Sequence, residues 1–220
     1  MADIEEYEYE LSIVMPCLNE VETVGLCINK ARSFIEKNNI NAEVVVADNG
    51  STDGSLEVIG QKGVRLVNVE EKGYGAALMG GINAAKGKYI IMGDTDGSHD
   101  LENLMPFLTK LREGYELVVG NRFKGGIEKK AMSFANRYIG NPVLSGLGRI
   151  FFRSKVKDFH CGLRGFTKQA YKEMNLRTSG MEFASEMIVK ATLRNLNVIE
   201  IPVVMLPSGR PGPAHLKPFR

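Results

Sequence analysis

Cysteine is scarce in this 220-residue chain, with only Cys17, Cys27 and Cys161. They are odd in number and nowhere spaced as CxxC. That argues against a disulfide scaffold or a structural zinc site, and for a reducing compartment. Long apolar runs are missing too. No stretch approaches the roughly 18 uninterrupted apolar residues that would read as a membrane span. The N-terminus carries Asp3, Glu5, Glu6, Glu8 and Glu10, the wrong charge for a signal peptide. Internal repeats and low-complexity tracts are absent. Acidic residues almost vanish between Arg122 and Lys168, where only Glu128 and Asp158 oppose a long series of lysines and arginines. A basic half of this kind points to phosphate, nucleic acid or an anionic membrane surface. No recognised nucleic-acid motif accompanies it, so a nucleic acid is not expected as partner.

What is present fits a single globular domain over 1–220, with 44% hydrophobic and 25% charged residues. Residues 1–10 form an acidic tail and 205–220 a basic loop rich in glycine and proline. Leu11–Met15 reads as a buried strand ended by Pro16. A helix is expected to open at Asn19-Glu20, with Val21, Val24, Ile28, Ala31 and Phe34 on one face. Further strands are expected at 42–47, 64–67, 88–92 and 116–120, with helices at 73–85 and 100–111. Five strand–helix alternations at crossover spacing predict an α/β domain with a mainly parallel sheet. Beyond the fifth strand, a strand is expected at 162–167, a helix at 181–196 and a last strand at 197–202.

Ligands of such sheets bind beyond the carboxyl ends of the strands. Four polar clusters fall there: Pro16–Glu20, Asp48–Asp53, Asp94–Ser98 and Asn121-Arg122. Within the third, Asp94 and Asp96 are two residues apart at a strand end, roughly 6–7 Å at the backbone and on one side. Paired carboxylates repel unless a cation intervenes. Magnesium takes one or two protein carboxylates plus phosphate oxygens and water, so the pair suggests a metal holding a diphosphate. Asp-x-Asp alone is common in solvated loops; its place on a shared rim carries the reading.

Other features have plainer readings. Gly73-Tyr74-Gly75 lacks the third glycine of a dinucleotide fingerprint, since that position is Leu78. Close helix packing through Gly75, Ala76 and Ala77 is the preferred account. Asp53 reads as a helix cap. Glu20 could be a first-turn residue favoured by the helix dipole, and its rim position tips it towards function. Arg164 is expected to pair with Asp158. Glu186 is a buried partner or a general base. His99, His160 and His215 are too scattered for a metal cluster and receive no role. Residues 130–154 mix apolar residues with Arg137, Arg149 and Arg153. Pro142 and Gly146 are expected to break them into short amphipathic helices at a membrane interface.

Taken together, Val14–Glu20, Asp48–Asp53, Gly73–Gly87, Asp94-Thr95-Asp96, Gly120–Arg122, Asp158 with Cys161–Phe166, and Glu186-Met187 resemble family 2 inverting glycosyltransferases. The match is closest to the branch that makes polyprenyl-phosphate sugars, the dolichyl-phosphate mannose and polyprenyl-phosphate glucose synthases, and it covers nearly the whole chain. The resemblance implies a GT-A fold and hexosyltransferase activity. It implies Mg2+ or Mn2+ as cofactor, a nucleotide sugar and polyprenyl phosphate as partners, and peripheral contact with the cytoplasmic face of the membrane. Homo-oligomerisation stays open. It places Pro16, Asn19, Glu20, Asp48 and Asp94 at the nucleotide, with Asp48 accepting a hydrogen bond from the base. Asp96 would be the principal metal ligand, with Asp94 and Ser98 beside it. Arg122, Arg137 and Arg210 would face the diphosphate or the lipid phosphate. Catalysis would rest on Asp96, Asp94, Arg122 and Asp158. Relatives usually carry glutamine where this chain has Ser98, a shorter oxygen ligand; on that ground UDP-glucose is favoured over GDP-mannose as donor. Relatives also often continue into transmembrane helices, so the chain is expected to be part of a longer protein. The alternatives are a hydroxyl acceptor, with Asp158 or Glu186 as general base, and a non-catalytic nucleotide-binding module.

Overall fold

The computed structural model describes residues 7–211. Seven strands form one sheet: β1 (Tyr9–Cys17), β2 (Ala42–Asp48), β3 (Arg65–Asn68), β4 (Gly87–Met92), β5 (Leu117–Asn121), β6 (Arg164–Thr167) and β7 (Val198–Pro202). Their order is β3-β2-β1-β4-β6-β5-β7. The β1–β2, β1–β4, β2–β3 and β5–β7 pairs are parallel, and β6 runs antiparallel to both β4 and β5. The expectation of a mainly parallel sheet therefore holds, with one reversed strand inserted near its middle.

Alternation along the strands divides the core in two. Ile13, Met15, Val44, Val46 and Ile91 face one side. There they meet Val24, Ile28 and Phe34 of α1 (Val24–Lys37) and Phe107, Leu108 and Leu111 of α4 (Met105–Arg112). Val14, Val45, Ile90 and Met92 face the other side. They meet Leu78 and Ile82 of α3 (Tyr74–Ala84) and Phe183, Met187 and Ile188 of α8 (Phe183–Leu193). Burial on both faces explains why β1, β2 and β4 read as continuous apolar runs. Two short helices complete this part, α2 (Ser55–Gln61) and α7 (Lys168–Met174). The glycines of α3 serve close packing, as expected, though Gly81 is the one against the sheet. A Cβ there would lie 2.7 Å from Val14, whereas one on Gly75 would lie 2.3 Å from the Thr178 carbonyl.

Two helices start later than the sequence suggests. Residues 19–23 are a turn, and α1 begins at Val24. Side chains of the next loop take the N–H groups that would open a helix: Asn19 N–H donates to Ser51, Glu20 N–H to Ser55 and Val21 N–H to Asp53. Asp100 likewise folds a local turn onto Glu102 and Asn103, so α4 waits for Met105-Pro106. Proline in a first turn forfeits no helical bond.

The same rule corrects the expectation of broken pieces at 130–154. After a π-helical turn at Asn136–Gly140, α6 runs unbroken from Asn141 to Phe152 with Pro142 in its first turn. Gly146 stays helical, and Gly148 lets the helix lie on Phe159, whose ring would be 2.6 Å from a Cβ there. The outer face of α6 is exposed and apolar: Val143, Leu144, Leu147, Ile150 and Phe151. No helix among the described residues is long and apolar enough to cross a membrane.

Arg164 is fully buried, and it does not pair with Asp158 as expected. Its guanidinium donates to three carbonyls, Cys161 (2.9 Å), Ala184 (2.5 Å) and Phe159 (2.7 Å). Desolvation holds its pKa below the ordinary arginine value. Removing it would leave three buried acceptors unpaired. Arg164→Met is expected to cost on the order of 3 kcal/mol in urea unfolding; a cost near zero would contradict this anchoring role.

Candidate functional site

The carboxyl ends of β1, β2 and β4 carry three of the four polar clusters to one rim. Because β6 is reversed, its entry loop, 158–163, reaches the same rim. There the structure assembles a compact group around Asp94. Its Oδ1 accepts from the Tyr74 hydroxyl at 2.9 Å, and its Oδ2 lies 3.2 Å from His99 Nε2. Gly162 closes the cluster, because a Cβ at that position would fall 2.4 Å from Asp94 Oδ2. Burial pushes the Asp94 pKa up. The His99 contact, the Tyr74 hydroxyl and the Arg122 charge outweigh it and hold the carboxyl below its usual range. Tyr74 is in turn pushed well above its usual value, by burial first and then by Asp94.

Asp96 is treated differently. Its Oδ1 accepts from the Ser98 backbone N–H at 2.9 Å, and no side-chain group of the described residues bonds its carboxylate. Of the pair, Asp96 is thus the carboxylate left open to a ligand. No trio of His, Cys, Asp or Glu side chains at metal-ligand spacing occurs among the described residues. One open carboxylate with a second beside it fits magnesium or manganese completed by phosphate oxygens and water better than a full protein cage. Ser98 is buried, and its carbonyl accepts from Leu206 N–H.

The nucleotide-side residues are strapped together. Asp48 accepts from Gly50 and Ser51 N–H, which makes it the organiser of its own turn. Asn19 Oδ1 accepts from Thr52 N–H, and Thr95 donates to the Pro16 carbonyl at 2.7 Å. The residue that caps α2 is Gly54 rather than Asp53; from one position earlier Asp53 accepts from the N–H and the hydroxyl of Ser55, the first residue of α2, and also ties down Val21. Asn49 pins the following loop through Val69, Glu71 and Gly73, which leads directly into Tyr74.

Beyond β7 the chain crosses the rim as a strap. Met205 bridges to His99 and Ile127, and Gly209 N–H donates to the Asp96 carbonyl at 2.8 Å. Arg210 then ion-pairs with Glu20, with Nε 3.1 Å from Oε2. Of the basic loop expected at 205–220, residues 212–220 lie outside the described residues.

Arg122 and Asp158 are brought together as a buried, two-pronged ion pair of 2.8 and 2.7 Å, and the Arg122 N–H adds a third bond to the same carboxylate. Burial raises the Asp158 pKa, and Arg122 overrides it to give a net lowering. Arg137 is not drawn into the rim cluster. It donates to the Ile127 carbonyl at 3.4 Å and lies over the Tyr138 ring. Glu186 serves the backbone, accepting from Arg177 and Thr178 N–H and pairing with Lys190.

Sequence reading gives no individual role to Tyr74, Asn49 and Gly162, which lie in the stretches that carry the resemblance, nor to His99. Spacing among the histidines gives His99 no role, since its partner is a single carboxylate five residues earlier. Tyr74 comes from another loop, and no short spacing links it to Asp94.

Glu186 has a pH signature. Burial raises its pKa, but Lys190, Thr178 and the Arg177 N–H bring it from 4.5 to about 2. Its stabilising effect is therefore complete above 4.5 and lost as pH falls towards 2. Glu186→Gln is expected to flatten that part of the acid-unfolding profile; an unchanged profile would exclude the contribution.

The chain has relatives among known proteins. The chain is 37% identical over 210 residues to the low-salt glycan biosynthesis hexosyltransferase Agl6 of Haloferax volcanii, covering 95% of this chain and 50% of that protein. It is 27% identical over 215 residues to a dolichyl-phosphate hexose transferase of the same organism, covering 97% and 90%. The chain thus spans about half the length of the first of these relatives. Among solved structures, glucosyl-3-phosphoglycerate synthase of Mycobacterium tuberculosis superposes with a TM-score of 0.71 at 21% identity, over 92% of this chain and 72% of that one. That structure contains Mn2+, UDP and phosphoglyceric acid, and another of the same enzyme contains Mg2+ and UDP. The likeness establishes the shared GT-A fold. Residues 12–174 match the family described as Glycosyl transferase family 2, and the chain belongs to that family.

Proposed function

We propose that this chain transfers a hexose from a nucleoside-diphosphate sugar to a polyprenyl phosphate at a membrane surface, with inversion at the anomeric carbon. The observation that carries the lipid acceptor is the exposed apolar face of α6, set among Arg137, Arg149 and Arg153. The relative named as a dolichyl-phosphate hexose transferase supports the same acceptor. The UDP complexes of the structural neighbours support a nucleotide-sugar donor.

Chemically, the bond from the anomeric carbon to the diphosphate oxygen breaks, and its electron pair leaves with the diphosphate. A lipid phosphate oxygen forms the new bond from the opposite side. Mg2+ or Mn2+ held by Asp96, with Asp94 beside it, would neutralise charge on the leaving diphosphate. Tyr74 and His99 fix the Asp94 carboxylate in place before substrate arrives. Asp48, Asn19 and Glu20 shape the nucleotide side of the rim. Arg210, already on the strap over Asp96, is the guanidinium for the diphosphate, exchanging Glu20 for it. A phosphate acceptor is an anion near neutral pH and needs no general base. This favours the lipid over a hydroxyl acceptor. Both candidate bases are committed, Asp158 to Arg122 and Glu186 to Lys190 and Thr178.

Purified protein with Mn2+ and UDP-glucose or GDP-mannose is expected to glycosylate a short polyprenyl phosphate. Transfer to an alcohol but not to the phosphate would sink the lipid assignment. Asp96→Asn should lower kcat roughly a hundredfold or more without changing Tm. The Tyr74→Phe, His99→Gln double variant should lower kcat/KM about 10–100-fold through a misplaced Asp94. Wild-type kinetics in that double variant would show that the cluster has no positioning role.

A further inference from the structure

A crevice of about 310 Å³ lies between α6 and α5 (Arg122–Gly125), the short helix after β5. Three cations line it: Lys124 from α5, Arg149 from α6, and Lys157 from the segment that follows α6. All three are exposed, and none has a side-chain hydrogen bond or ion pair among the described residues. The acids nearby are committed. Asp158 is held by Arg122. Glu200 Oε1 accepts from Asn121 Nδ2 and from the Lys157 and Asp158 N–H groups. Those donors are neutral, so Glu200 keeps its charge at the edge of the crevice, and the three cations still leave the crevice net positive beside buried Asn121 and Ser145.

Its position separates it from the rim. Asn121 and Arg122 are successive residues at the end of an extended strand, and their side chains leave the backbone on opposite sides. Arg122 turns towards Asp158 and Met205, on the side of His99 and Asp94. Asn121 turns towards Glu200 and the crevice. One flank of the crevice is α6 itself, whose outer face presents Leu144, Leu147, Ile150 and Phe151 to solvent. A ligand matching both features is anionic at one end and apolar at the other.

We propose that this crevice is a second anion site, taking the phosphodiester headgroup of an anionic membrane phospholipid while the apolar face of α6 meets its chains. This rests on the membrane-facing reading of α6 and is independent of donor chemistry. It predicts an orientation-fixing contact, because three cations lining one crevice bind one headgroup at one place, whereas scattered surface charge attracts an anionic membrane without registering it.

The test compares two triple variants of the full chain. Lys124→Gln, Arg149→Gln, Lys157→Gln empties the crevice; Lys129→Gln, Lys130→Gln, Lys155→Gln removes equal charge from the same basic region outside it. Flotation with phosphatidylcholine vesicles containing phosphatidylglycerol should show an affinity loss of about tenfold or more for the first and a much smaller loss for the second. Binding to pure phosphatidylcholine should be alike in all three proteins. Equal losses would reduce the effect to diffuse charge, and no loss in the first variant would remove the site. In solution, short-chain phosphatidylglycerol should shift the amide resonances of Asn121, Ser145 and Gly146. Inorganic phosphate acting as strongly would overturn the lipid headgroup in favour of a free anion. A UDP–Mn2+ thermal shift run alongside keeps the two readings apart. Its absence in the wild-type protein would undermine the donor assignment alone, and its presence in the crevice variant with lost flotation supports the headgroup site alone.

Discussion

The reversed strand β6 depends on one buried cation, and the rim depends on β6. Arg164 enters the core without a carboxylate partner and is satisfied by three carbonyl oxygens, two from the loop that precedes it and one from α8. Carbonyl dipoles are a costlier solution than a salt bridge unless the geometry is fixed, so the guanidinium dictates the path of residues 159–161. That path lets Asp158 meet Arg122 and lets Gly162 pass close against Asp94. In a sheet of parallel strands alone, the entry to this strand would lie at the far end, away from every other polar cluster.

The rim that results is largely self-neutralised. Asp94, Asp158 and Glu20 each face a donor or cation of this chain: His99 with Tyr74, Arg122, and Arg210. Asp96 stands apart, with one oxygen on a backbone N–H. The Asp94 and Asp158 pairings are preorganised and cost no rearrangement, and a single open carboxylate leaves a defined place for a cation.

Much of this was legible from spacing. Continuous apolar runs located β1, β2 and β4, and polar residues at their ends located three of the rim loops, because a strand buried on both faces takes a polar side chain inside only where a partner satisfies it, as Glu43 does for Ser12. Pairings between loops were not legible. Arg122 and Asp158 are 36 residues apart and meet only because β6 lies between β4 and β5. Glu20 and Arg210 are 190 apart. The late start of α1 has a related cause: side chains of Ser51, Asp53 and Ser55 capture the N–H groups of another loop. Pro142 and Gly146 were read as breaks, yet the first occupies a helix start, and helical bonds carry α6 through the second.

Phe159 ties α6 to this framework more tightly than its plain apolar character suggests. Its ring fills the space that Gly148 leaves open, and its N–H donates to Ser145, two positions on the same helix. Its carbonyl is one of those that Arg164 holds, and its neighbour Asp158 grips Arg122. The residue works as an axle pin: α6 cannot slide along its length without dragging the loop that seats both arginines. The position of that helix and the seating of Arg122 and Arg164 thus share one aromatic residue.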